Sequence, residues 1–108
     1  MLYKFKSRAA AALIMLEPNG RRLLQIIGKP LDEKQGILQP QDMGAAIAAL
    51  EAAITQEEAR QQAAREATVA RGEEPPKAED VSLRQRAAPF IEMLRRCEKA
   101  DKEIVWGV

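Results

Sequence analysis

The stretch DKEIVWGV, residues 101–108, decides how this chain is read. It holds the single tryptophan, and four of its last five residues are apolar, where chain ends are ordinarily frayed and polar. A period of two puts Ile104, Trp106 and Val108 on one side of an extended segment, as in a strand with one buried face. Burying one such aromatic is worth on the order of 2–3 kcal/mol. That is large beside a total stability of roughly 5–15 kcal/mol. The favoured reading is a core strand, and the alternative is a free strand or terminal carboxylate that docks on another protein.

A core strand needs a neighbour, and the N-terminal stretch MLYKFKS supplies one. Met1, Tyr3 and Phe5 fall on one face and Lys4 and Lys6 on the other. Leu2 breaks the alternation and is expected to cover a sheet edge. The two ends of the chain are therefore expected to pair. Ala12–Leu16 is a short apolar run whose isoleucine and length favour a second strand or a buried extended segment.

Residues 18–28, PNGRRLLQIIG, allow two readings. PNG can be a hairpin turn that makes Arg21–Ile27 a strand. Alternatively, Pro18 opens a helix and Gly28 stops it, with Leu23, Leu24 and Ile27 on one face. The helix is preferred, although Gly20 within it costs about 1 kcal/mol against alanine. Lys29–Gly36 reads as a charged loop and Gly36–Gln39 as a short extended stretch.

The middle of the chain carries the plainest helix. Asp42 is the expected N-cap, and Met43, Ile47, Leu50 and Ile54 form one stripe at spacings of 4, 3 and 4. Beyond Ile54 the composition stays helix-forming while the stripe stops, which predicts a solvated extension toward Gly72. Glu73–Asp80 is rich in proline and charge and reads as a mobile loop. Ser82 and Gln85 form a capping box. Leu83, Ala87, Phe90, Leu94 and Cys97 make a second narrow seam. Pro89 inside that helix is expected to bend it near Arg86–Ala88. Arg95, Arg96 and Lys99 gather at its far end, where positive charge complements the helix dipole.

Composition limits what such a fold can do. The chain has 108 residues, the size of one domain, with 46% hydrophobic residues but only 4% aromatic ones. Much of the apolar share is alanine, so the core is expected to be small. Seventeen basic and sixteen acidic residues leave a net charge of +1. This is not the strongly basic balance of a dedicated nucleic-acid binder. Histidine is absent, which removes the commonest acid–base group and the commonest metal ligand. The single Cys97 cannot form an internal disulfide, in keeping with a reducing cytoplasm. Lys4, Lys6 and Arg8 before Ala9–Leu16 superficially copy a signal peptide. The run has only eight apolar residues, and Glu17-Pro18-Asn19 follows in place of a small-residue cleavage site. No run approaches the ~18 apolar residues of a membrane span.

MLYKFKS, LIMLEPNG, LLQIIGK, QPQDMGAAIAALEAAI, the VSLRQRA and PFIEML segments and DKEIVWGV together resemble a family of short bacterial proteins, domain of unknown function 1840. The likeness covers nearly the whole chain except the Ala/Glu/Arg-rich stretch at about 57–80. It implies a bacterial cytoplasmic protein and carries over no catalytic or binding residue.

Four sets of residues remain as site candidates. Trp106 and Val108 are core residues in one reading and a docking tail in the other. The two helical seams pack within the chain or pair between chains. Arg84, Arg86, Arg95 and Arg96, with Arg21 and Arg22, could face phosphates. Interleaved glutamates make solvated faces with i,i+4 pairing an equal explanation. Cys97 lies on an apolar seam, where a neutral buried thiol is usual. No glycine loop fits a nucleotide-binding fingerprint.

The expectation is an α+β domain spanning residues 1–108. Its small sheet, built from the N-terminal segment and the C-terminal strand, is covered by two long helices and one short one. The expected function is a cytoplasmic protein–protein interaction or structural module that self-associates or binds an unknown protein. It is expected to be no enzyme and to need no cofactor, metal or membrane. A weak nucleic-acid-binding accessory role is the rival.

Overall fold

The computed structural model describes residues 2–30, 35–74 and 82–107. Along the chain run β1 (Leu2–Ser7), β2 (Ala10–Leu16), α1 (Glu17–Ile26), β3 (Gly36–Leu38), α2 (Pro40–Ala70), α3 (Leu83–Ala100) and β4 (Ile104–Trp106). The fold is α+β: a four-stranded antiparallel sheet in the order β2-β1-β4-β3, with three helices.

The ends of the chain do pair. Phe5 stands opposite Trp106 and Lys6 opposite Val105, which places β4 between β1 and β3. Ile104 and Trp106 are buried, so both enter the core as strand residues. Phe5 is the hub, with ring centroids 4.8 Å from Phe90, 5.8 Å from Trp106 and 6.3 Å from Tyr3. Val108 lies outside the described residues.

Residues 18–28 resolve in favour of the helix. β2 passes into α1 at Leu16–Glu17 with Pro18 in the first turn, where a missing N–H costs nothing. At the other end Gly28 takes φ +85°, and the Lys29 amide donates to the Leu24 carbonyl at 2.9 Å. That is the left-handed ending for which glycine is suited. Gly20 has a reason the sequence could not show. It is buried, and a Cβ built there would lie 2.3 Å from the Tyr3 ring. The helix gives up propensity at Gly20 to let β1 approach. Gly36 does the same on β3, where a Cβ would lie 2.3 Å from the Trp106 indole.

The start of α2 differs from expectation. Gln39 is its N-cap residue and Pro40 its first residue, so Asp42 lies inside the first turn and is no N-cap. Proline's fixed φ favours the first helical position and moves the start forward. The Asp42 carboxylate then acts on the positive end of the helix dipole. Met43, Leu50 and Ile54 are buried and Ile47 is half-buried, as the stripe requires.

α3 opens with the expected reciprocal box. The Gln85 amide donates to Ser82 Oγ at 3.2 Å, and the Ser82 amide donates to Gln85 Oε1 at 3.1 Å. The helix continues through Pro89, whose ring faces solvent. Leu83, Ala87, Phe90, Leu94 and Cys97 are all buried. It ends at Asp101 in the left-handed region, φ 58°, from which the chain turns into β4. The expected loop at 73–80 falls largely outside the described residues.

α2 and α3 run antiparallel, because the start of α3 lies against Glu57 and Glu58 while Glu98 lies beside Gly44. At 1.5 Å per residue the 31 residues of α2 reach about 46 Å and the 18 of α3 only about 27 Å. Residues 59–70 therefore project past the core as a helical arm, consistent with the 52 × 28 × 23 Å extents of the molecule.

Two substitutions check this packing by chemical denaturation. Trp106→Ala is expected to lower stability by about 3–5 kcal/mol, the usual cost of truncating a buried aromatic. Gly20→Ala is expected to destabilise by about 1–3 kcal/mol through overpacking against Tyr3, despite alanine's better helix propensity. A gain in stability for Gly20→Ala would refute the close approach.

Candidate interaction surface

The helical face was expected to present arginines to a partner. The structure engages Arg22, Arg84 and Arg95 with glutamates of another helix. Arg84 grips Glu58 with two parallel bonds, Nε to Oε2 at 2.9 Å and Nη2 to Oε1 at 2.7 Å. Arg95 Nη2 donates to Glu51 Oε1 at 2.6 Å, and Arg22 Nη2 donates to Glu57 Oε1 at 3.0 Å. Arg86 donates to Asn19 Oδ1 on α1. Arg96 is exposed on α3. The interleaving of charges seen in the sequence is real, but these pairs cross between helices. Arg21–Glu17 at 3.7 Å is a pair of the expected i,i+4 kind.

Glu57 has the most structural of these roles, and nothing in the sequence singled it out. One carboxylate oxygen receives Arg22 from α1, and the other receives the Leu83 amide at the start of α3, at 3.1 Å. It therefore satisfies one of the open N–H groups of α3, favours the positive end of that helix dipole, and ties three helices together. The bidentate geometry of Arg84 holds the Glu58 carboxyl below its ordinary pKa, chiefly through the hydrogen bonds and secondarily through the guanidinium charge. Between these pairs lies a shallow groove of about 430 Å³, its apolar wall formed by Ile54, Ala88 and Ile91 and its polar wall by Glu51, Arg84 and Arg95.

Neither seam is left open for another chain. Both close on each other and on the sheet within one molecule. Among the described residues most of the large apolar side chains that remain exposed lie on the opposite side of the sheet, with Val69 on the arm of α2 apart from them. Leu2, Ile14 and Leu16 are 63%, 52% and 60% exposed. Register sets Leu2 opposite Leu16 and Lys4 opposite Ile14, so these residues form one patch spanning β1 and β2. Ile37 on β3 is exposed as well, opposite Val105. The signals were present in the sequence: Leu2 breaks its strand's alternation, and Ala12–Leu16 is apolar at both parities. A short apolar run does not say which of its faces is buried, and here only Leu13 and Met15 turn inward.

The free thiol of Cys97 is buried at the α3 seam. Among the described residues no group of three or more Cys, Asp or Glu side chains could hold a metal ion. No helix among them is long and apolar enough to cross a membrane.

The sign of the Glu58 effect is testable. Its folded pKa lies below the unfolded value, so the pair contributes above the unfolded pKa and is lost as pH falls through the folded one. A carboxyl-detected NMR titration is expected to place Glu58 below ordinary glutamates, and Arg84→Met is expected to return it to their range. Separately, Glu57→Ala is expected to cost about 1–3 kcal/mol, because it leaves the Leu83 amide without its acceptor; a change below ~0.5 kcal/mol in the denaturation midpoint analysis would refute that role.

The family model described as Domain of unknown function (DUF1840) matches residues 1–106. The chain belongs to that family. No curated protein and no solved structure matches it.

Proposed function

We propose that this member of the DUF1840 family is a small protein–protein interaction or structural module that works in the bacterial cytoplasm and self-associates. The observation that carries the reading is the patch of Leu2, Ile14 and Leu16 on the outer face of the sheet. Contiguous exposed apolar residues are a recurrent mark of contact surfaces, and here they occur in a chain whose helical seams are already closed. A buried free thiol with no second cysteine accords with a reducing compartment. The nucleic-acid alternative loses support from the ion pairs of Arg22, Arg84 and Arg95, since each such arginine would have to leave a glutamate to reach a phosphate.

The test is quantitative capture from native bacterial lysate with the full chain and with the triple variant Leu2→Ser, Ile14→Ser and Leu16→Ser. These positions are exposed, so the variant is expected to keep its helical circular dichroism. Proteins retained at moderate salt by the parent and lost by at least about tenfold in the variant are expected, a loss of roughly 1.4 kcal/mol in binding. Equal recovery by both chains would remove the patch from the reading. Recovery of nucleic acid alone, falling steeply with salt, would favour the rival.

A further inference from the structure

The face of the sheet turned away from the helices carries a line of positive charge between two apolar borders. On β1, Lys4 and Lys6 are exposed and alternate with the inward Tyr3 and Phe5. Continuing the β1–β4 register past Lys6 and Val105 sets Arg8 opposite Glu103, and those two are ion-paired at 3.5 Å. Among the described residues Glu103 is the one acid that this register brings beside the line, so three cations meet a single carboxylate. Lys4 has no ion-pair partner among the described residues.

The borders lie on either side of β1. Towards β2, Ile14 stands opposite Lys4, and Leu16 stands opposite Leu2. Towards β4 and β3, Val105 stands opposite Lys6, and Ile37 opposite Val105. Apolar residues on both faces of a sheet call for a layer on each. The inner face has its layer in the helices, and among the described residues nothing covers the outer one.

We infer that this face takes an acidic amphipathic helix of another protein, laid along β1 with its carboxylates over Lys4 and Lys6 and its apolar side chains over the two borders. This rests on the interaction reading above and names the chemistry of the partner. The spacing fits: alternate residues of a strand recur at about 7 Å, and carboxylates four apart on a helix at about 6 Å. The width fits as well, since four strands span about 14 Å and a helix with its side chains about 10–12 Å. Charge complementarity selects this occupant over three others. A second copy set sheet to sheet lays the basic line against an identical one. An anionic bilayer that took up both borders would draw the lysines deepest, because they reach further from the sheet than leucine or isoleucine, and charge is costly there. Single-stranded nucleic acid is held on sheet faces by stacked aromatic side chains, and here Tyr3, Phe5, Phe90 and Trp106 cluster on the inner side.

The test is NMR titration of the full chain with a synthetic helix of about 18 residues, long enough to hold its fold, that carries Glu every third or fourth position between leucines. A matching probe has Lys in place of each Glu. The acidic probe is expected to shift amides of β1, β2 and β4 with a dissociation constant between about 10 μM and 1 mM, and to weaken with salt. Lys4 and Lys6 are exposed, so the pair Lys4→Glu with Lys6→Glu leaves the core intact, which a melting curve checks; Lys4→Gln with Lys6→Gln serves as a milder second variant. The reversal is expected to weaken the acidic probe at least about tenfold and to bind the lysine probe in its place. No shift to about 1 mM, shifts confined to the helices, or equal binding of both probes by the parent overturns the inference. Tighter binding of phosphatidylglycerol vesicles or of oligouridine than of the acidic probe overturns the choice of partner. In the capture experiment, proteins lost with the triple serine variant but kept by both lysine variants overturn the acidic helix and leave the interaction reading standing.

Discussion

The structure depends on the ladder between β1 and β4. Phe5 and Trp106 are 101 positions apart, and their pairing is what turns separate amphipathic segments into one enclosed core. β4 has only three residues, yet it lies between β1 and β3 and holds both. Removing it would leave β3 without a partner and expose Phe5 and Phe90 on one side. Closing so long a loop costs entropy that no local contact returns. The aromatic cluster at the junction therefore has to be large, and in a chain with so few aromatics all four of them are placed there.

Around this junction the packing is tight enough to dictate backbone chemistry. Gly20 and Gly36 sit on different elements and share one cause, an aromatic ring lying where a Cβ would be. The helices meet the sheet with Phe90 and a set of aliphatic side chains, and carry charged contacts at their rims. Glu57 is the most consequential of these. Its carboxylate is shared between α1 and α3, so it fixes where α3 begins along α2 and, through that, where β4 emerges. The exposed pairs Arg84–Glu58 and Arg95–Glu51 follow that alignment and add little individually.

Local chemistry made much of this legible in advance. The capping box of Ser82 and Gln85, the two apolar seams and the alternation around Phe5 and Trp106 each depend on residues a few positions apart, and each was readable. The start of α2 was misplaced because Asp42 is a good cap in isolation, while Pro40 just before it is a better first residue. What stayed hidden depends on contacts across the fold. Gly20 reads as a weak point in a helix until Tyr3 is placed over it. Glu57 reads as one acid among several until Arg22 and Leu83 arrive. The outward aspect of Ile14 and Leu16 was invisible because Ala12–Leu16 carries apolar residues at both parities. The same composition obscured the apolar patch on the outer face of the sheet.

The helical arm has a consequence for how the molecule opens. α2 is one continuous helix, yet among the described residues only its first part, to about Glu58, is fastened to other elements. Hydrogen exchange would divide it into two regimes. Amides before that point would exchange only when the whole core opens, and those after it by fraying alone, because an isolated segment of this length is marginal in water. The boundary would fall inside an unbroken run of hydrogen bonds, at the residue where α3 begins and not at any feature of α2 itself.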